Sequence, residues 1–302
     1  VSSPESLDIE YVASLLKLSS DASPRVYRPV NQHLDDLGID LLPFLKEIFY
    51  RDPELAPVAR RWWGRLIMAD LKADLRRWQT EQGEDLLTGI TLMTQAAYPE
   101  ISRDDLHRDV FQQILRVWME AKSYYSLKEL IQSINHTLFQ VEGYQGNDED
   151  FYAPENFFLH WLLAHRRGSP LTLSILYILI GQRLGVPVFG VNLPYHFVVA
   201  VMENAPPRPG GFPAADPPPF PQPDEKVAFY INTYRKGAVF FHHQLKDFLV
   251  QIGHEPRPEY FQPCTNTPIV TRMARNLEVA YERIGDEEMA GRYRALREVL
   301  DD

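Results

Sequence analysis

RRGSPLTLSILYILIGQRLGVPVFGVNLPYHFVVA, residues 166–200, is the stretch whose reading decides the fold. Arg167-Gly168-Ser169 makes a turn, and Ser169 is a good helix N-cap because its hydroxyl accepts an orphan backbone N–H one turn ahead. Pro170 comes next, where a missing N–H costs nothing. From Leu171 to Leu184 the run is apolar on nearly all sides, which predicts a helix buried all round. It is shorter than the ~18 apolar residues a membrane span needs, and Arg167 and Arg183 bound it. Gly185-Val186-Pro187 stops it, and two β-like segments lie on either side of Pro194, with His196 opening the second. The reading is helix, turn, strand, turn, strand.

Composition sets the frame. The 302 residues carry a net charge of −10, with 45% hydrophobic and 24% charged residues, ordinary for a globular protein. The acidic balance argues against nucleic acid as a partner, since phosphate binding wants a basic surface. A single cysteine, Cys264, rules out an internal disulfide. No signal peptide or membrane-spanning run is read, so no membrane is expected and the cytoplasm is the default location.

Upstream, residues 1–140 read as a helical region. Leu7, Tyr11, Leu15 and Leu16 make one amphipathic face, Pro24 and Pro29 are expected to break the segment after it, and Val58 to Gln79 reads as one helix with Trp62, Trp63 and Trp78 in the core. Residues 141–252 form the central region, interrupted by a Pro-rich insertion at 204–225 with nine prolines. Adjacent His242 and His243 are expected to point to opposite faces of a strand, which disfavours a shared metal. Residues 253–302 read as a helical hairpin turning at Gly285.

Taken together, several short strings resemble the SirB1 family, a branch of the transglutaminase-like superfamily. They are Tyr144-Gln145-Gly146-Asn147, Phe151 to Asn156, Arg166 to Pro170, Leu184 to Pro187 and Gly190 to Phe197. The resemblance implies an α+β fold, with a buried helix packed on a small antiparallel sheet and a tetratricopeptide-like hairpin behind it. It also implies a catalytic Cys at the start of the buried helix, a His opening a strand and an Asp on the next strand. His196 matches the His, Asn232 stands where the Asp is expected, and the Cys position falls on Pro170 or at most a residue away, where there is no Cys.

The expected site is therefore a relic made of Ser169, Pro170, His196 and Asn232, with Arg166, Arg167, Asn156, Asn192 and Tyr195 as binding residues. The first reading is a pseudoenzyme that binds a protein or peptide, with no metal and no cofactor. The alternative is a hydrolase or acyltransferase using Ser169 with His196 and Asn232. Oligomeric state is not legible.

Overall fold

The computed structural model describes residues 7–81, 85–120, 126–203, 218–222 and 225–302. The chain divides into two compact units, 1–74 with 94–102, and 75–93 with 103–302. Most of the insertion expected at 204–225 lies outside the described residues.

In the first unit, α1 (Ile9–Ser19), α2 (Pro24–Leu37), α3 (Leu42–Arg51) and α4 (Ala56–Leu66) pack around Val12, Leu16, Leu34, Leu45, Trp62 and Trp63. Two expectations change here. Pro24 opens α2 instead of breaking it, because a proline at the first helical position gives up a hydrogen bond no helix makes, and Pro29 is carried inside the same helix. The single helix expected from Val58 to Gln79 is two. It breaks at Ile67, whose backbone N–H bonds Trp63 and whose ψ opens to 0°, and α5 (Met68–Glu81) starts there.

The second unit contains α6 (Leu86–Gln95, of which 94–95 belong to the first), α7 (Arg103–Glu120), α8 (Leu127–Asn135) and a π-type turn at His136–Val141. A two-residue strand β1 (Gln145–Gly146) pairs in parallel with β2 (Arg167–Gly168), and α9 (Leu159–His165) lies between them in sequence. The buried helix is α10 (Pro170–Arg183). Four strands come after it in the order β3 (Val188–Asn192), β4 (Phe197–Met202), β5 (Val227–Asn232) and β6 (Ala238–Phe240), each antiparallel to its neighbour. The fold is α+β.

Alternation along the strands gives the sheet two apolar faces. Val188, Gly190, Val199 and Val201 lie on one, beneath α10 and α12 (Asn266–Arg283). Val191, Leu193, Val198, Ala200 and Tyr230 lie on the other, covered by Leu245 and Leu249 of α11 (His242–Gln251). His242 and His243 thus sit in the first turn of a helix, a correction to the strand expected there; Gln244 accepts from the Phe241 N–H and starts the helix early. The C-terminal hairpin of α12 and α13 (Glu287–Asp301) turns at Gly285, whose φ of 75° suits glycine, and Asp286 caps α13. This hairpin falls in the same compact unit as the sheet.

The closest approach of α10 to the sheet is at Gly181, where a Cβ would lie 2.6 Å from Val188 Cγ2. Gly181→Ala therefore overpacks a seam formed by a rigid β-branched side chain. The expected loss is about 1–3 kcal/mol, reduced by up to about 1 kcal/mol of helix propensity. Urea denaturation checks this; a variant as stable as the parent would contradict the close contact.

Candidate functional site

The start of α10 is buried, so its unpaired N–H groups need protein partners. Ser169 is 2% exposed and its Oγ accepts from the Thr172 N–H at 3.1 Å. Thr172 in turn donates its hydroxyl to the Asn156 carbonyl at 2.8 Å, which leaves the Ser169 hydroxyl donating to Thr172 Oγ1 at 2.9 Å. The same Asn156 carbonyl accepts the Ser169 N–H at 3.0 Å. One turn on, Ser174 donates to the Pro170 carbonyl and receives the hydroxyl of Thr233, both at 2.8 Å.

Asn156 is the hub of this region and is 1% exposed. Its amide donates to the carbonyls of Asp150 at 2.6 Å and Phe151 at 3.2 Å, and its Oδ1 accepts from Asn147 at 3.0 Å. Gln145 N–H bonds the Arg166 carbonyl and Asn147 N–H bonds the Gly168 carbonyl, closing the β1–β2 bridge. Arg166 takes a left-handed backbone with φ of 63°. Its guanidinium donates to Tyr144 Oη at 2.7 Å and to the Leu163 carbonyl, pairs with Glu142 at 3.1 Å, and lies over the Tyr144 ring. Arg167 pairs with Glu149 at 3.0 Å, and Asp148 accepts from Tyr234 Oη at 2.6 Å. Of the expected binding residues, Asn156, Arg166 and Arg167 are thus committed to their neighbours.

Asn192 and Tyr195 lie elsewhere. Asn192 Oδ1 accepts from Arg272 of α12, which also donates to the Leu193 carbonyl at 2.7 Å. Burial pushes the Arg272 guanidinium down to about 10. Leu193 to His196 is the tight turn joining β3 to β4. Leu193 and His196 exchange both backbone hydrogen bonds, Pro194 supplies the turn's fixed φ, and Tyr195 takes φ of 57° with its side chain 84% exposed. Its ring lies 5.5 Å from that of His254.

His196 opens β4, but on the face away from α10. As the hydrogen-bonded partner of Leu193 it shares the side covered by α11, and its ring meets Phe248 edge-on at 4.7 Å. Asn232 pairs with Ala238, two residues beyond Tyr230, so it shares that side. Its Oδ1 accepts from the Arg235 N–H at 3.1 Å and caps a short turn. Among the described residues no hydrogen bond joins Ser169, His196 and Asn232. The structure brings the three to one end of the sheet and divides them between its faces.

Burial, then the charge of Arg272, holds the His196 imidazole below the usual histidine value. Cys264 N–H bonds the Gly190 carbonyl at 2.8 Å beside β3, and burial pushes its thiol up to about 12, the opposite of an activated thiolate. No cluster of three or more metal-ligating side chains occurs among the described residues. Residues 148–150 also spend two of their three carboxylates, on Tyr234 and Arg167. Sequence reasoning did not find Thr233, Phe248 or Arg272. A buried Thr, a helix-face Phe and an Arg on a later helix carry no local pattern that marks them.

Two measurements check this description. Ser169→Ala removes the α10 cap and leaves Thr172 short of a partner, with an expected loss of about 1–2 kcal/mol in denaturant unfolding. The His196 imidazole is expected to titrate by NMR below the ordinary value of about 6.5. Protonation is disfavoured in the folded chain, so this group withdraws stability as the pH falls below that value and costs nothing above it. Phe248→Ala uncovers the ring and raises the midpoint; an unchanged midpoint would contradict the burial argument.

Residues 105–275, more than half of the chain, match the family described as the transglutaminase-like superfamily. A UPF0162 protein of Xylella fastidiosa (strain Temecula1 / ATCC 700964) is 33% identical over 116 residues, 38% of this chain and 41% of that protein. The human F-box only protein 21 is 34% identical over 173 residues, 57% of this chain and 24% of that protein. A UPF0162 protein of Vibrio cholerae is 22% identical over 204 residues, 66% of this chain and 67% of that protein. The chain therefore spans less than half the length of the Xylella and human relatives. No solved structure matches it. Among the described residues no helix is long and apolar enough to cross a membrane. With its buried helix set against an antiparallel sheet, and with residues 105–275 matching as they do, this chain belongs to the transglutaminase-like superfamily.

Proposed function

We propose that the chain is a non-catalytic member of the SirB1-like branch that acts by binding a protein or peptide, in the cytoplasm. The observation that carries this reading is the separation of the candidate groups. Ser169 is buried and bound to Thr172, while His196 faces Phe248 across the sheet. A general base must lie within hydrogen-bond reach of the nucleophile it activates. Moving His196 to the α10 face requires reversing the alternation of β4, which would carry Val198 and Ala200 off the α11 face and swap the two sets of packing partners along the strand. The hydrolase or acyltransferase alternative draws no support from this arrangement. The C-terminal hairpin, in the tetratricopeptide-like reading, adds interaction surface beside the sheet.

The test is covalent labelling with a serine-directed fluorophosphonate, together with turnover of a generic ester. No adduct at Ser169 is expected under conditions that label a control hydrolase, and His196→Ala should leave the background hydrolysis unchanged. An adduct at Ser169, or hydrolysis lost with His196, would overturn the reading.

A further inference from the structure

The two edges of the four-stranded sheet differ. Beside β3, Cys264 donates its N–H to Gly190 and occupies that edge. At the other end, β6 pairs only with β5 among the described strands. Its extended backbone continues through Phe241, at φ of −106° and ψ of 169°. An edge strand presents a row of backbone donors and acceptors to any chain laid alongside it, and folded proteins usually guard such a row with lysine, proline or a bulge. Residues 238–241, Ala-Val-Phe-Phe, carry none of these. Val239 and Phe241 are instead 47% and 51% exposed, and alternation puts both on one face.

Charge says what lies there. The segment 235–246 reads RKGAVFFHHQLK, with Arg235, Lys236 and Lys246 and no carboxylate, in a chain whose net charge is −10. All three cations are exposed, and no ion pair engages them among the described residues. A second copy of the chain would bring the same cations to its own β6, so the edge is poorly matched to itself. It is well matched to an extended segment that alternates carboxylates with small apolar side chains.

We propose that β6 takes up an acidic extended peptide as a fifth strand. Backbone hydrogen bonds supply the attachment, Val239 and Phe241 receive the apolar side chains, and Arg235, Lys236 and Lys246 select the acidic ones. The proposal rests on the binding reading above and names its surface and partner chemistry.

The test uses the full chain and a fluorescein-labelled, N-acetylated peptide of alternating Glu and Val, about eight residues long to match a strand. Saturable anisotropy change is expected, with NMR shifts of the Val239 to Phe241 amides. The charge-reversed Lys–Val peptide should not bind. Arg235→Glu with Lys236→Glu alters only exposed side chains, and it should weaken binding about tenfold or more with thermal unfolding unchanged; Val239→Asp should do the same. Equal binding of the Lys–Val peptide, binding retained by both variants, or no binding at millimolar peptide would overturn the proposal. So would sedimentation showing a dimer that Val239→Asp dissociates, which would assign the edge to a second copy. These outcomes are separable from the function itself: an adduct at Ser169 with peptide binding intact would remove the non-catalytic reading and leave the edge site standing.

Discussion

A helix buried on every side still has to satisfy the N–H groups of its first turn, and the rest of this structure depends on how α10 does so. No water reaches them, so protein must supply the acceptors. Ser169 supplies one by capping its own helix, and the carbonyl of Asn156 supplies another by receiving both the Ser169 N–H and the Thr172 hydroxyl. For that carbonyl to be in place, Asn156 must itself be fixed, and its side chain ties down the loop between Asn147 and Phe151. β1 then bridges to β2, and Tyr234 closes over Gly146, where a Cβ would strike its ring.

This explains why the motif strings at 144–147, 151–156 and 166–170 meet in space. They are one polar assembly around the start of α10. A helix start of this kind offers its N–H groups and its dipole to whatever acceptor lies against it. Here a hydroxyl accepts the Thr172 N–H and a carbonyl accepts the Ser169 N–H. The strings mark the fold because the helix cannot be buried without them, and that need is independent of chemistry.

The sheet imposes the second constraint. Its strands are apolar on both faces, with α10 and α12 on one side and α11 on the other, so alternation sorts every polar residue at the sheet's end to one side or the other. His196, paired with Leu193 across the tight turn, goes with α11; Thr233, bonded to Ser174, goes with α10. A one-residue difference in strand phase therefore decides whether a histidine that opens a strand faces a helix start or turns its back on it.

By itself the sequence determined much of the fold. A capped apolar run, two turns and alternating segments require a buried helix and then a small sheet, and Gly285 with Asp286 requires the final hairpin turn, because these are local rules of backbone freedom and capping. The break at Ile67 and the helix at His242 escaped it, since both depend on which neighbours take up the backbone hydrogen bonds at those points. The candidate site was legible as a set of residues and not as an arrangement. Which face of β4 His196 occupies, that Asn232 spends its side chain on Arg235, and that Asn156 anchors the helix are settled only when strands and helices pack. Strand phase and hydrogen-bond partners are properties of the assembled layers, and no local run of residues encodes them.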